Sequence, residues 1–184
     1  MATQPCPCGF RGHPEKACKC SPVHIDRYLG RISGPLLDRI DLHLEVAAVK
    51  FKDLTQSRPG ESSEAIRKRV ERARAIQLER FGVSDDPSTL DFRNDRGTRY
   101  VYSNAQMSHR DLGRHCPLDT NCVSLMEQAM KRIGMSARGF DRILKVARTI
   151  ADLEESGSIL AQHLAEAIQY RSLDRSSFCP SPAI

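Results

Sequence analysis

The chain has 184 residues, of which 40% are hydrophobic and 28% are charged, a composition typical of a folded globular protein. The sequence contains no apolar run long enough to span a bilayer, and its first residues do not resemble a signal peptide. We therefore expect a cytoplasmic protein that does not enter a membrane. A net charge of +5 slightly favours polyanionic partners, whereas 5% aromatic residues and the lack of tryptophan argue against base-stacking platforms for nucleic acid.

Four of the seven cysteines form a C-x-C-x9-C-x-C array near the start of the chain: Cys6, Cys8, Cys18 and Cys20. Four thiolates can close a tetrahedral structural zinc site, and they leave no open position for catalysis. A segment this poor in apolar residues would gain stability from a metal, so we predict bound Zn²⁺. His13 or His24 could replace one thiolate. The alternative is a flexible arm of reduced, unligated cysteines.

Beyond the cysteine array, the first sixty residues predict little regular structure. Residues 28–38 suggest a short apolar helical turn followed by a break at Gly34 and Pro35. Residues 40–46 alternate apolar and polar side chains, which is typical of a strand with one buried face. Because a single strand has no hydrogen-bond partners, we interpret it as the remnant of a larger sheet. Residues 57–60 predict a linker or turn.

A long helix is predicted from about Ser63, which can cap it, to Phe81. Its apolar face is marked by Ile66, Val70, Ala73 and Ile76 or Gln77. Basic residues occupy the opposite face: Arg67, Lys68, Arg72 and Arg74. Such a row is most often a solvated helix surface, and the alternative is a face that contacts nucleic acid or another subunit.

The rest of the sequence predicts a helical bundle. Residues 83–99 indicate a flexible loop, and residues 176–184 a disordered tail. Helices are predicted at 108–115, at 119–133 with Val123, Met126 or Leu125, and Met130 inward, at 136–154, and at 160–171. The fold class is therefore mainly α: a remnant of an α/β core with one or few strands, followed by an α-helical bundle.

Two arginines are placed where they could contact a phosphate. Arg39 lies between Asp38 and Asp41 just before the predicted strand, and an arginine supplied in trans accelerates phosphoryl transfer by about 10³–10⁵-fold. Arg138 lies in the first turn of the helix that Ser136 opens, where the helix start also favours anions. The alternatives are an Arg39 paired with its aspartates and a solvated Arg138. Arg142, Lys145 and Arg148 would extend the basic side of the same helix.

The sequence contains no G-x-x-x-x-G-K-[ST] motif to cradle phosphates and no apolar run ending in Asp-Glu to hold magnesium. The chain therefore lacks both Walker motifs. We expect it to be inactive as an ATPase on its own.

Several segments together resemble a known family. They are residues 5–10 (PCPCGF), the second Cys-x-Cys pair, 27–41 (RYLGRISGPLLDRID), 102–107 (YSNAQM), 136–153 (SARGFDRILKVARTIADL) and 163–171 (HLAEAIQYR). The chain is similar to the C-terminal part of the magnesium-chelatase-like AAA+ proteins of bacteria, the ComM/YifB type. The resemblance covers most of residues 5–175 and is least typical around 83–99.

The resemblance implies a fragment of a hexameric AAA+ ATPase that binds ATP and Mg²⁺ in the full-length protein only. It implies a helicase-like role on single-stranded or branched DNA, in the branch migration that accompanies natural transformation. The partners would be other copies of the protein, in a hexameric ring, and DNA.

By the same resemblance, Arg39 matches the arginine finger and Arg138 the sensor-2 arginine of the lid. Residues 1–50 would be the tail of the AAA+ core, with the cysteine array as an insertion that binds zinc. Residues 51–175 would be the helical lid. Gln4 departs from the family, which has Asn at this sensor-1 position.

Two other functions fit the same residues. The chain could be a non-enzymatic, zinc-stapled module that binds nucleic acid or protein through its basic helix faces. It could also belong to the ATPase subunit of a true metal chelatase, although the cysteine array is not expected there.

Overall fold

The computed structural model describes residues 2–49, 55, 60–82 and 101–171. The chain divides into two compact units, one formed by residues 1–59 together with 170–184 and the other by residues 60–169. We call them unit 1 and unit 2 and describe each by itself. The predicted loop at 83–99 and the predicted tail at 176–184 lie outside the described residues.

Within residues 2–49, unit 1 contains two short helices, α1 (Pro22–Leu29) and α2 (Gly34–Leu37). The Ser21 hydroxyl accepts a hydrogen bond from the backbone N–H of His24, and Pro22 occupies the first turn of α1, where its missing N–H costs nothing. The predicted break at Gly34 and Pro35 is wrong. These two residues begin α2, because proline is pre-organised for the first turn of a helix.

The predicted strand at residues 40–46 is also wrong. No strand occurs among residues 2–49, and the apolar side chains of this segment face solvent: Leu44 is 65% exposed and Val46 is 88% exposed. The alternating pattern is present, but no other described strand lies beside it to pair with. One backbone N–H in this segment, that of His43, donates to the carbonyl of Tyr170 at 2.6 Å.

Unit 2 is a helical bundle. Its helices are α3 (Ser63–Phe81), a 3-10 turn (Asn104–Gln106), α4 (His109–His115), α5 (Thr120–Ile133), α6 (Ala137–Leu153) and α7 (Ala161–Gln169). All five predicted helices of this region are present, with bounds within two residues of the prediction. Each of α3 to α6 begins behind a Ser or Asp whose side chain accepts a backbone N–H.

The predicted burial pattern of α3 holds for its second half only. The capping residue is Ser62 rather than Ser63. Ala73 and Gln77 are buried, but Ile66 and Val70 are 42% and 44% exposed. The first turns of α3 therefore extend beyond the core of unit 2.

The buried side of α5 is shifted by one residue from the prediction. Cys122, Met126 and Ala129 are buried, whereas Val123 is exposed and Met130 is half-buried. The small Cys122 packs inward at the first turn and donates a weak hydrogen bond to the Ile159 carbonyl. The helix ends at Gly134, whose φ of 68° closes the last turn in the left-handed conformation.

The core of unit 2 forms where α6 packs against α7 and α3. Leu164 and Ala167 from α7 are buried in this core. The buried apolar side chains of α6 recur with a helical period: Ile143, Leu144, Ala147, Ile150 and Ala151. The mainly helical fold predicted from the sequence is thus confirmed. None of the described helices is both long and apolar enough to cross a membrane.

Candidate functional site

The four cysteines of the array converge on one point in unit 1. Their sulfur atoms all lie within 4.8 Å of one another. Three sulfur pairs are closer: Cys6–Cys8 at 3.4 Å, Cys6–Cys18 at 3.7 Å and Cys8–Cys18 at 3.6 Å. A tetrahedral zinc with Zn–S bonds of about 2.3 Å needs sulfurs about 3.8 Å apart. The four thiols can therefore hold a metal ion of that size with small adjustments.

Tight turns bring the two halves of the array together. The N–H of Gly9 donates to the Cys6 carbonyl at 3.0 Å, and Gly9 has a φ of 77°, which glycine adopts without strain. Cys6 is buried, and the other three cysteines are half-buried. The loop between Cys8 and Cys18 thus folds back on itself before any helix begins.

The electrostatics of the cluster favour one thiolate at neutral pH. Backbone N–H groups, first that of Phe10 and then that of Lys19, lower the pKa of Cys8 to about 6. The backbone N–H of Cys8 acts in the same direction on Cys20, but desolvation and the neighbouring sulfurs outweigh it and raise the pKa of Cys20 to about 12. A bound divalent cation would reverse this preference and deprotonate all four thiols.

Neither histidine suggested as a substitute ligand belongs to the cluster. The Nδ1 atom of His13 accepts the backbone N–H groups of Glu15 and Lys16 at 3.1 and 3.2 Å, so it stabilises a turn. His24 lies exposed on α1. Among the described residues, the metal-binding group consists of the four cysteines alone.

Arg39 lies two residues after the end of α2 and is exposed. Its backbone N–H donates to the Leu36 carbonyl at 3.0 Å, and its guanidinium donates to the Pro35 carbonyl at 3.4 Å. No ion pair with Asp38 or Asp41 holds it within the described part of the chain. Arg39 is thus an exposed cation with one long intramolecular hydrogen bond.

Arg138 is exposed in the first turn of α6. The Ser136 hydroxyl caps this turn by accepting the N–H of Gly139 at 3.2 Å. The rest of the predicted basic side is less available, because Lys145 is half-buried and donates to the Ala105 carbonyl at 3.0 Å. Burial, reinforced by the nearby Arg142, lowers the pKa of Lys145.

The basic row on α3 is largely engaged in intramolecular bonds. Lys68 lies 2.8 Å from the Glu64 carboxylate, and Arg72 lies 3.0 Å from that of Glu155. Arg74 donates to the side-chain oxygen of Gln77 at 2.9 Å and is half-buried. Arg67 is exposed. The row therefore consists of screened charges rather than one open cationic surface.

Arg148, predicted on a basic helix side, is instead buried in unit 2 together with Asp152. The Nε atom of Arg148 donates to Asp152 at 3.0 Å, and Arg80 of α3 donates to the same carboxylate. The Asn104 side chain donates to it as well, at 2.7 Å. This network was not predicted from the sequence. The i, i+4 spacing of Arg148 and Asp152 inside an apolar stripe was the available signal, because a buried charge needs a buried partner.

Two family profiles match the chain. Residues 60–171 match the family described as "Magnesium chelatase, subunit ChlI C-terminal", and residues 1–54 match "Magnesium chelatase, subunit ChlI". The sequence is 37% identical over 158 residues to "Competence protein ComM" of Haemophilus influenzae, which covers 85% of this chain and 27% of that protein. It is 36% identical over 176 residues to "Uncharacterized protein YifB" of Escherichia coli, which covers 95% of this chain and 30% of that protein.

A mainly helical unit that follows a segment matching the chelatase subunit defines the C-terminal part of an AAA+-like magnesium chelatase module. The chain belongs to the magnesium-chelatase-like family, and its similarity to ComM and YifB confirms the family resemblance drawn from the motifs. The chain spans less than a third of the length of these relatives.

Proposed function

We propose that this chain supplies an arginine finger and a sensor arginine to a hexameric AAA+ ATPase that acts on DNA. The observation that supports this most directly is Arg39, an exposed guanidinium with one long hydrogen bond, on a segment that follows a short helix. In a ring, such a side chain can reach the nucleotide of the neighbouring subunit. A DNA substrate is proposed because one relative is named a competence protein.

The chemistry of this proposal is electrostatic. A guanidinium directed at the γ-phosphate stabilises the negative charge that spreads over the phosphoryl oxygens during transfer. In a partner's pocket, the hydrogen bond from Arg39 to Pro35 would be exchanged for bonds to phosphate. Arg138, at the start of α6, would contact phosphate from the lid and couple the nucleotide state to the position of unit 2.

ATP and Mg²⁺ would be bound by the part of the relatives that this chain does not cover. We assign no magnesium ligand within the described residues. When bound, Mg²⁺ neutralises charge on the β- and γ-phosphates. This chain's own contribution would be the two arginines and their supports.

We further propose that Cys6, Cys8, Cys18 and Cys20 hold a structural Zn²⁺. The sulfur separations and the lack of an open fourth position support a closed, non-catalytic site. Zinc would fix the loop that precedes α1 and so stabilise unit 1, in which Arg39 lies.

The finger assignment is tested in a chimera in which this chain replaces the segment it matches in Competence protein ComM. Arg39→Ala should lower the ATP turnover number by about 10³–10⁵-fold and leave ATP binding largely unchanged. Arg31→Ala, which removes another exposed arginine of unit 1, is the matched control and should keep full turnover. Unchanged turnover in the Arg39→Ala chimera would reject the assignment.

The rival binding-module function has weaker support, because three of the four residues in the predicted basic row of α3 are engaged by neighbouring side chains. It requires salt-sensitive DNA binding by the isolated chain, with reduced affinity in the Arg67→Ala variant. The chelatase function rests on the description of the matching family. Insertion of magnesium into a porphyrin by the chimera would favour it over the DNA-directed role.

A further inference from the structure

Arg171 is a buried arginine in the same unit as Arg39, although the two residues are far apart in sequence. It is 1% exposed, and its Nη1 atom donates to the Ile40 carbonyl at 2.9 Å. Its Nη2 atom lies 4.0 Å from the carboxylate of Asp38. One guanidinium therefore contacts the residue before Arg39 and the residue after it.

Tyr170, the residue before Arg171, makes a second contact with the same segment. The carbonyl of Tyr170 accepts the backbone N–H of His43 at 2.6 Å. Residues 170 and 171 thus hold the chain at positions 38, 40 and 43. Arg39 lies inside this span, and its side chain is left exposed. The arrangement fixes the backbone of Arg39 and leaves its guanidinium available for another molecule.

We propose that Arg171 is a positioning residue for Arg39: it holds the backbone on both sides of Arg39 so that the exposed guanidinium meets the neighbouring subunit's phosphate in a fixed geometry. This inference rests on the proposed role of Arg39. Geometry of this kind matters, since a misplacement of about 1 Å in a catalytic group can cost on the order of 10²-fold in rate.

The inference is tested by kinetics in the ComM chimera described above. Arg171→Ala should lower the turnover number by about 10–100-fold and leave the KM for ATP unchanged. Arg171→Lys, which keeps a cation near Asp38, should recover part of the loss. The double variant Arg39→Ala/Arg171→Ala should be no slower than Arg39→Ala, because a positioning residue has nothing left to position.

Failure of this inference can be told apart from failure of the proposed function. If Arg39→Ala abolishes turnover and Arg171→Ala does not change it, the positioning role alone is overturned. Losses that add in the double variant overturn it too, since they mean that Arg171 acts independently of Arg39. If Arg39→Ala leaves turnover unchanged, the proposed function itself fails.

A structural measurement on the 184-residue chain keeps the inference falsifiable if a chimera does not fold. The His43 amide should exchange its hydrogen at least about tenfold faster in Arg171→Ala, because its acceptor, Tyr170, is released. Arg31→Ala is the control and should not alter this exchange. Equal His43 exchange in wild type and Arg171→Ala would overturn the proposal.

Discussion

At the scale of single residues, Asp152 is the centre of the buried network in unit 2. It is 0% exposed and accepts hydrogen bonds from Arg148, Arg80 and Asn104. Asp152→Ala would leave two arginines without their shared counter-charge. It should therefore lower the free energy of unfolding by about 3–5 kcal/mol, measured by urea denaturation.

The matched control for Asp152 is Glu127→Ala, which removes an exposed carboxylate that pairs with Lys131 at 2.6 Å. Solvent screens this pair, so the change should leave the free energy of unfolding nearly unchanged. An Asp152→Ala variant that unfolds at the same urea concentration as Glu127→Ala would contradict the central role of Asp152.

Glu154 makes the stability of the folded protein depend on pH. The Nδ1 atom of the buried His163 accepts a hydrogen bond from the backbone N–H of Leu160, so the ring proton is on Nε2. The Nε2–H group donates a hydrogen bond to the Glu154 carboxylate at 2.9 Å. This bond, followed by one from Gln162, holds the pKa of Glu154 below its ordinary value of 4.5. The stabilisation that this hydrogen bond gives the folded protein is fully present above pH 4.5, and it is lost as the pH falls through the lowered pKa of Glu154.

Wild type should therefore lose more stability than Glu154→Gln when the pH falls from 6 to below about 4, where carboxylates protonate. Thermal unfolding at several pH values measures this difference. Parallel curves for the two proteins would show that the hydrogen bond from His163 does not favour the ionised carboxylate.

The residues of the candidate site were only partly predictable. The cysteine spacing was sufficient to predict a cluster, because four thiolates within one short loop can reach a common zinc ion. The contacts of Arg39 with Pro35 and of Arg171 with Ile40 were not predictable. An arginine has the same local signature whether it is exposed or buried, and only its distant neighbours decide which.

At the scale of elements, two glycines should respond in opposite ways to alanine. Gly134 ends α5 at a φ of 68°, where a Cβ is strained, so Gly134→Ala should destabilise the protein by about 1–2 kcal/mol. Gly113 lies inside α4, and a Cβ there meets nothing within 4 Å. Gly113→Ala should stabilise the protein by about 0.5–1 kcal/mol.

Thermal unfolding of the two variants under one set of conditions measures both effects, and each variant is the control for the other. A loss of stability in Gly113→Ala would mean that α4 needs the flexibility of glycine. A neutral Gly134→Ala would mean that α5 ends without the left-handed turn.

Most helices of unit 2 were predictable because they carry local signals: α3 to α6 each begin behind a Ser or Asp, and the apolar residues of α6 recur with a helical period. Which residues of a helix face the core was less predictable, as α5 shows. The sequence alone does not show that the small side chain of Cys122 is buried. Its contact with the carbonyl of Ile159, which is distant in sequence, places that side of α5 inward. The prediction of a strand at 40–46 was wrong because an alternating pattern is a property of one segment, whereas a β-strand also needs a neighbouring strand to which it can hydrogen-bond.

At the scale of the whole molecule, zinc should stabilise unit 1 selectively. Residues 2–20 contain no helix or strand, so the four-cysteine cluster is the main link between them. Removing the metal with a chelator should increase hydrogen exchange and proteolysis in residues 2–30. Unit 2 should keep its protection, because its core is apolar and separate.

Cys18→Ser should reproduce the effect of the chelator and lower the metal content below one zinc per chain, measured by elemental analysis. Cys122→Ser, in the core of unit 2, is the control and should keep the full metal content. A wild-type chain purified without zinc, or a Cys18→Ser chain that retains it, would contradict the zinc assignment.

The arrangement of unit 1 also sets an order of events during synthesis. Arg171 is added 131 residues after Ile40, the residue to which it donates. At about 5–20 residues per second, a ribosome needs roughly 7–26 s to bridge that interval. The segment around Arg39 therefore gains its contacts with Tyr170 and Arg171 only after these residues have been synthesised. A product released before position 170 would carry Arg39 without them.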